Sequence, residues 1–209
     1  MKKIAISQRL QEIVEYNETR EALDVRWGQL LYSANLIPVA IPTLIPIETF
    51  LKEVKVDGFI LSGGNDLSQV TQSHLSKTRD NLERKIIQFS IDKKIPLLGV
   101  CRGMQIIGNY FGLTLKPINN HSGTSHEIQY LISHDPLIDL LIMNVKRNSY
   151  HDYALENTNS DLLTVARSMD GAIEAIKHKN FPIFAHMWHP ERNKPFLDED
   201  VLFLKKFFE

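Results

Sequence analysis

Apolar and polar positions in the first half of the chain follow a strand-then-helix rhythm. Short apolar runs typical of buried strands occur at 3–6, 37–41, 58–61 and 96–100. Apolar residues recur at helical spacing at 25–34, near Leu51 and Val54, at 80–91 and again from Met104 to Phe111. Alternating strands and helices require right-handed crossovers, so this pattern predicts a parallel sheet covered by helices on both faces. Prolines in and after the second run indicate an edge strand or a short one.

The pattern is less regular elsewhere. Three polar stretches, 67–78, 119–126 and 147–153, are expected to be loops, and 137–145 is apolar but ambiguous in type. From Leu162 onward we expect three short strands, the last at 183–187, separated by turns at 170–171 and 179–180. A helix at 201–208 follows. The sequence therefore predicts an α/β protein.

Composition narrows the class of protein. With 209 residues, of which 43% are hydrophobic and 23% charged, the chain is large enough for one substantial core, and we expect a single domain over 1–209. A net charge of -1 argues against a nucleic-acid surface or a polybasic membrane contact. No apolar run approaches the roughly 20 residues of a membrane span, and Met1-Lys2-Lys3 leads into a strand instead of a signal-peptide apolar region. We expect a cytoplasmic protein.

The single cysteine, Cys101, lies where a predicted strand runs directly into a predicted helix. Gly99 and Gly103 stand two positions on either side of it, which suits a nucleophile held at a sharp strand-to-helix turn. A helix N-terminus and the neighbouring Arg102 favour the thiolate. The alternative is a small buried hydrophobe, the usual state of a free cysteine, and the glycine bracket argues against it. One cysteine also excludes an internal disulfide and fits a reducing compartment.

Two other motifs follow predicted strands. Ser62-Gly63-Gly64-Asn65-Asp66 could present backbone N–H groups to an oxyanion, although an ordinary flexible turn explains this stretch equally well. In Trp188-His189-Pro190-Glu191, the histidine suits a cysteine's general base, and the turn at the proline could bring the carboxylate onto it. Taken singly, a satisfied core histidine and a solvated glutamate would be the commoner interpretations.

The three motifs, in this order and spacing, resemble the class I glutamine amidotransferase-like family. Within it, the chain looks most like the free-standing γ-glutamyl hydrolases, of the γ-glutamyl-γ-aminobutyrate hydrolase type. The resemblance covers nearly the whole chain and includes Arg79-Asp80 with Glu83, and 148–151. It implies a flavodoxin-like three-layer α/β/α sandwich around a mostly parallel sheet, with an antiparallel extension near the C-terminus.

The resemblance also implies roles for particular residues. Cys101 would form a glutamyl thioester, with His189 as general base and then acid and Glu191 orienting it. The backbone N–H groups of Gly64 and Arg102 would form the oxyanion hole, with Gly63 as an open alternative to Gly64. Gln105 and the main chain at Ser149 and Tyr150 would hold the glutamyl α-amino and α-carboxylate groups. No metal or organic cofactor is implied, because the chain supplies every group.

Three departures from the family pattern fall where the leaving group would lie. They are His186 before the tryptophan, His151-Asp152-Tyr153, and the short loop at 67–78. We expect a hydrolase that acts on a small molecule, an N-substituted glutamine. Cationic or histidine side chains are expected to ring the site: Arg9, Lys77, Arg79, Arg102, His121, His126, Arg147 and His151. They could hold an anionic substituent such as a carboxylate, phosphoryl or nucleotidyl group. The alternative is that most of them are solvated surface charges.

Two other functions stay open at this point. A glutaminase subunit that passes ammonia to a separate synthetase chain would have the same motifs, but it would need that partner. A non-catalytic binding or regulatory protein on the same fold is the third interpretation. Its expected signature is a broken triad, whereas all three positions are filled here.

Overall fold

A nine-stranded mixed sheet forms the centre of the protein, described over residues 1–209 by a computed structural model. In spatial order the strands are β4 (Leu36–Ala40), β1 (Lys2–Ile6), β5 (Gly58–Leu61), β6 (Leu97–Val100), β13 (Ile183–His186), β12 (Ile173–His178), β11 (Leu162–Ser168), β8 (Ser122–Tyr130) and β9 (Lys146–Tyr150). Pairing is parallel from β4 to β13 and antiparallel from β13 to β9. The predicted α/β fold is confirmed, with the antiparallel strands as its extension.

Helices flank this sheet. They are α1 (Arg26–Ser33), α2 (Ile47–Glu53), α3 (Ser68–Thr71), α4 (His74–Lys93), α5 (Arg102–Tyr110), α6 (Ile138–Leu141) and α7 (Asp198–Phe207). Helix α4 packs with α5, and α1 packs with α7. The parallel strands β5 and β6 are wholly buried and β1 is buried over its last three residues, which explains their apolar runs. None of the helices has the length and apolar character needed to cross a bilayer.

Several polar stretches expected to be loops are regular structure. Residues 122–126 belong to β8, and 147–153 contribute to β9 and to β10 (Tyr153–Leu155), which pairs with β7 (Leu115–Pro117). β8 and β9 lie at an edge of the sheet, and β8 exposes most of its N-terminal half, so they lack an apolar pattern. Helix α4 likewise begins at His74, within the expected loop at 67–78. A separate hairpin of β2 (Arg9–Ile13) and β3 (Glu18–Ala22) is also polar and was not predicted.

The parallel strands bring the three motifs to one edge of the sheet. The carboxyl ends of β1, β5, β6 and β13 meet there, as the ligand-binding edge of an open α/β sheet requires. Ser62 after β5 donates its hydroxyl to the Ser7 carbonyl at 2.6 Å. The Cys101 backbone N–H donates to the His186 carbonyl at 2.8 Å. Motifs that are far apart in sequence thus become neighbours.

Gly103 provides a test of how closely α5 approaches β5. A Cβ atom on Gly103 would clash with the backbone carbonyl of Leu61, whereas a Cβ on Gly28 in α1 would meet nothing within 4 Å. We expect Gly103→Ala to lower the free energy of unfolding by about 1–3 kcal/mol, and Gly28→Ala to raise it by about 0.5–1 kcal/mol through helix propensity. Urea unfolding of both variants measures this, and equal stabilities would contradict the packing described.

Candidate active site

Cys101 occupies a strained turn between β6 and α5. Its backbone has φ 54° and ψ -106°, a conformation that residues with a side chain rarely adopt. A Cβ on Gly99 would lie only 2.7 Å from the Gly103 backbone, so the two glycines let strand and helix approach closely. The thiol stands at the N-terminus of α5, where helix N–H groups favour negative charge. This local geometry is that of a nucleophile elbow.

His189 and Glu191 form a buried pair just beyond β13. A 3-10 turn from Pro190 to Arg192 places the Glu191 carboxylate 2.6 Å from His189 Nδ1. Asn148 holds the histidine backbone from the other side, accepting its N–H at 2.8 Å and donating to its carbonyl at 2.8 Å. The carboxylate accepts from Nδ1–H and fixes the ring orientation, which leaves Nε2 free for another partner.

The environment of His189 favours its protonated form. Burial alone would lower the pKa of His189, but the Glu191 carboxylate and Cys101 oppose it and raise that pKa to about 9. The imidazole therefore carries two protons at neutral pH, beside the only thiol of the chain. Such a site can hold a thiolate–imidazolium pair, the reactive state of many cysteine nucleophiles.

Arg79 organises the turn that follows β5. Its guanidinium donates to the carbonyl oxygens of Ser62 at 2.6 Å, Gly63 at 3.1 Å and Gly64 at 2.5 Å. Because N–H and C=O point in opposite directions in a trans peptide, the N–H groups following these carbonyls face away from Arg79. Gly64 has φ 82°, which favours glycine, and a Cβ there would lie 2.6 Å from Arg9 Nε. The turn is thus fixed and presents donors.

A buried network of four charges connects this turn to the elbow. Glu83 of α4 accepts from Arg79 Nε at 2.9 Å and also pairs with Arg102 of α5, which contacts Asp80 as well. Ser7 at the end of β1 donates to the same Glu83 carboxylate at 2.7 Å. Burial lowers the pKa of Arg79 to about 10, so its charge persists at neutral pH. The network therefore locks the N-terminus of α5 against the carboxyl ends of β1 and β5.

A pocket of about 180 Å³ opens beside the thiol. It is lined by Gly64, Asn65, Asp66, Cys101, Arg102, Gln105, Tyr150, His151 and Asp152. Of the predicted substrate-binding residues, Gln105 and Tyr150 therefore lie at the pocket, whereas Ser149 is buried beneath it and donates its hydroxyl to the His121 carbonyl. Gly64 shares this pocket with Cys101, whereas Gly63 packs on the His189 ring, where a Cβ would come within 2.6 Å of Cε1.

The expected ring of free cationic groups is wrong for most of its members. Arg79 and Arg102 are buried in the four-charge network, and Arg147 is buried against Asp200 at 3.0 Å. His121, His126 and His151 all face Glu174. Lys77 is exposed and Arg9 is partly exposed next to Gly64. Sequence reasoning missed Arg192, which follows the histidine motif directly and lies 4.3 Å from the Tyr150 ring centroid.

His186 belongs to the core behind the site. Its ring stacks on Trp188 with centroids 4.2 Å apart, and Nδ1 lies 2.9 Å from the Trp188 carbonyl. Burial lowers the pKa of His186 to about 3, so it is neutral. It is absent from the pocket lining, so the sequence departure at this position lies away from the pocket beside the thiol.

The fold and the site together define the class of glutamine amidotransferase-like hydrolases. The chain belongs to the Peptidase C26 family, whose model matches residues 4–191. It is an enzyme of the type that hydrolyses carbon–nitrogen bonds, since relatives across the family are named γ-glutamyl hydrolases.

Two curated relatives and one solved structure illustrate the similarity. A Campylobacter jejuni protein named γ-glutamyl-CDP-amidate hydrolase is 38% identical over 208 residues, covering 98% of this chain and 96% of the relative. The γ-glutamyl-γ-aminobutyrate hydrolase PuuD of Escherichia coli is 26% identical, covering 83% and 80%. The crystal structure of a glutamine amidotransferase from Thermotoga maritima has the same fold, with TM-score 0.68, 12% identity and coverage of 94% of this chain and 79% of that one.

Removing the central charge of the buried network tests its contribution to stability. Glu83→Gln leaves Arg79 and Arg102 buried without their shared carboxylate, so we expect a loss of about 3–5 kcal/mol in the free energy of unfolding. The matched control is Glu48→Gln, which removes an exposed pair with Lys85 at 3.8 Å and should cost less than about 1 kcal/mol. Denaturant unfolding distinguishes them, and similar losses would show that the network is not a major constraint.

Proposed function

We propose that this protein hydrolyses the γ-glutamyl amide bond of an N-substituted glutamine through a thioester on Cys101. The observation that carries the proposal is the position of the His189 imidazole. Its Nδ1 lies 2.6 Å from Glu191 Oε1, and Cys101, at the strained elbow, raises its pKa. The family supplies the reaction class, since its members include named γ-glutamyl hydrolases.

The chemistry follows from the positions of these groups. The Cys101 thiolate attacks the γ-carbonyl carbon, and the backbone N–H groups of Gly64 and Arg102 stabilise the oxyanion, a contribution of about 10²- to 10³-fold in rate per donor. The His189 imidazolium donates its Nε2 proton to the departing nitrogen, which leaves a glutamyl thioester. The neutral imidazole then takes a proton from water, whose oxygen attacks the thioester to release glutamate and the thiol.

The substrate's glutamyl part would lie in the pocket beside Cys101. Gln105 is oriented by its own amide, which donates to the Tyr153 carbonyl at 2.9 Å and leaves the side-chain oxygen for an ammonium group. Tyr150 and the main chain at Ser149 are on the β9 segment that borders the same pocket. These residues supply acceptors and donors for the α-amino and α-carboxylate groups.

We propose further that the nitrogen substituent is a phosphoryl or nucleotidyl group. Arg9 stands against Gly64 and Arg192 lies over Tyr150, so two cationic side chains border the site. Arginine recognises phosphate oxygens through paired N–H donors. The Campylobacter jejuni relative, by its name, acts on a cytidine diphosphate amidate. The runner-up function, ammonia supply to a synthetase chain, would need that chain for activity.

A substrate panel tests the leaving group. The purified protein should release glutamate from γ-glutamyl-CDP-amidate far faster than from γ-glutamyl-γ-aminobutyrate or glutamine, and Cys101→Ala should abolish release. Arg9→Met should raise KM for the phosphorylated substrate about tenfold or more and leave KM for glutamine unchanged, because a phosphate contact is lost. Lys77→Met is the control on an exposed cation. Glutamine turnover that appears only with a synthetase chain would favour the runner-up instead.

The pH profile tests the protonation of His189. Because the pKa of His189 is raised to about 9, the imidazolium acid is present below that pH and is lost as the pH rises through it. We expect kcat/KM to fall above about pH 9. Glu191→Gln removes a carboxylate that raises the pKa, so the descending limb should move to lower pH, toward the ordinary histidine value of about 6.5. A limb at the same pH in both proteins would contradict the assignment.

A further inference from the structure

Three histidines and one glutamate converge behind the pocket, outside the catalytic set. Glu174 of β12 is fully buried, and its Oε1 lies 3.3 Å from His121 Nδ1, 3.5 Å from His126 Nε2 and 3.5 Å from His151 Nε2. His121 precedes β8, His126 is within β8, and His151 follows β9. The chain thus brings four metal-ligating groups together from separate segments.

These groups are not held together by hydrogen bonds. Neither carboxylate oxygen of Glu174 has a hydrogen-bond partner, nor has any of the three nitrogens that face it. A buried carboxylate without a hydrogen bond is strongly unfavourable, so a cation close to it, either a bound ion or a protonated histidine, must compensate its charge. The facing atoms are also farther apart than the 2.7–3.2 Å or so of ordinary N–H···O bonds.

In two of the histidines, the ring nitrogen that faces away from Glu174 determines whether the nitrogen that faces Glu174 carries a hydrogen. His121 Nε2 lies 2.9 Å from Asp170 Oδ2, and His151 Nδ1 lies 3.2 Å from the Tyr153 carbonyl. Both partners are acceptors, so these outward nitrogens carry the hydrogens and, in neutral rings, the inward nitrogens carry lone pairs. A histidine that binds a metal commonly donates its other N–H to a carboxylate or a carbonyl in this way.

We propose that His121, His126 and Glu174 bind a divalent transition-metal ion of the zinc class, with a fourth position left for water and His151 beside the site. Bonds of about 2.0–2.2 Å in a tetrahedral site place neighbouring ligand atoms about 3.3–3.5 Å apart, which matches the separations of His121 Nδ1 and His126 Nε2 from Glu174 Oε1. The ligand atoms of the first three residues all lie within 4.8 Å of one another. Imidazole nitrogens select transition metals over magnesium or calcium.

The site has an entry path and a structural consequence. The His126 side chain is 19% exposed, whereas the other ligands are almost fully buried, so an ion would enter past His126. The metal would tie β8 to β12 and fix Glu174, which lies 3.5 Å from His151 in the segment after β9, where Tyr150 and His151 line the pocket. It would therefore set the position of that wall without taking part in the hydrolysis, and the inference does not depend on the proposed substrate.

Metal titration of the full chain tests the site. Protein stripped with a chelator and desalted should take up one equivalent of Zn²⁺, and one equivalent of Co²⁺ with the visible absorption of a tetrahedral complex. His126→Asn should bind at least about tenfold more weakly, and Asp170→Asn, which removes a partner of His121, about tenfold more weakly. The control is His134→Asn, because His134 is exposed and has φ 63°, which asparagine tolerates. It should bind like the unaltered chain.

The unfolding temperature gives a second readout that needs no activity assay. Zn²⁺ should raise the midpoint of the unaltered chain and of His134→Asn, since a ligand that binds the folded state stabilises it. The proposal is overturned if the unaltered chain takes up less than a fifth of an equivalent of either ion, or if His126→Asn binds as tightly as the control. If the variants do not fold, the uptake and cobalt spectrum of the unaltered chain decide the question.

Discussion

The left-handed backbone of Cys101 is the constraint on which the site depends. Conformations of this kind cost about 1–3 kcal/mol and persist only where the surroundings enforce them. Here the enforcement comes from close packing, since Gly99 and Gly103 leave no space between β6, α5 and β5. The backbone N–H of Cys101 is held by the His186 carbonyl on β13. The sheet order that places β13 beside β6 therefore sets the positions of both the thiol and His189, which lies just beyond the end of β13.

Buried charges fix the orientation of backbone groups that close packing alone leaves free. Arg79 fixes the turn after β5 through three carbonyls, and Arg102 lies at the start of α5, yet both charges are neutralised by Asp80 and Glu83 on one helix. A buried ion pair is weak evidence for stability, because desolvation offsets most of the attraction. Here the buried ion pairs fix orientation. The guanidinium and carboxylate groups have few alternative partners, so the N–H groups of the turn and the elbow keep a single orientation.

Much of the parallel half could be predicted, and the residues of the candidate catalytic set could be selected, because the signals are local. Strands buried on both faces leave continuous apolar runs, and the elbow and the histidine motif are each contained in a few consecutive residues. The polar edge strands β8 and β9 and the β2–β3 hairpin have no such signal. The sequence also does not show which charges are buried. Arg147 pairs with Asp200, which lies 53 residues away along the chain, and only the three-dimensional structure shows this contact.

The pocket lies between two polar assemblies of different character. Its elbow side is fixed by the four-charge network of the parallel half, and the side formed by Tyr150 and His151 is continuous with the Glu174 cluster of the antiparallel extension. The arginines of the first assembly are paired with Asp80 and Glu83, and the histidines of the second face Glu174, so neither offers free positive charge to a substrate. Under the proposed function, an anionic substituent would therefore meet Arg9 on the hairpin and Arg192 after the histidine motif. Both cations also touch the candidate catalytic set, since Arg192 Nε lies 3.7 Å from Glu191 Oε1 and Arg9 packs on Gly64, so the residues at these two positions affect the leaving group and the base together.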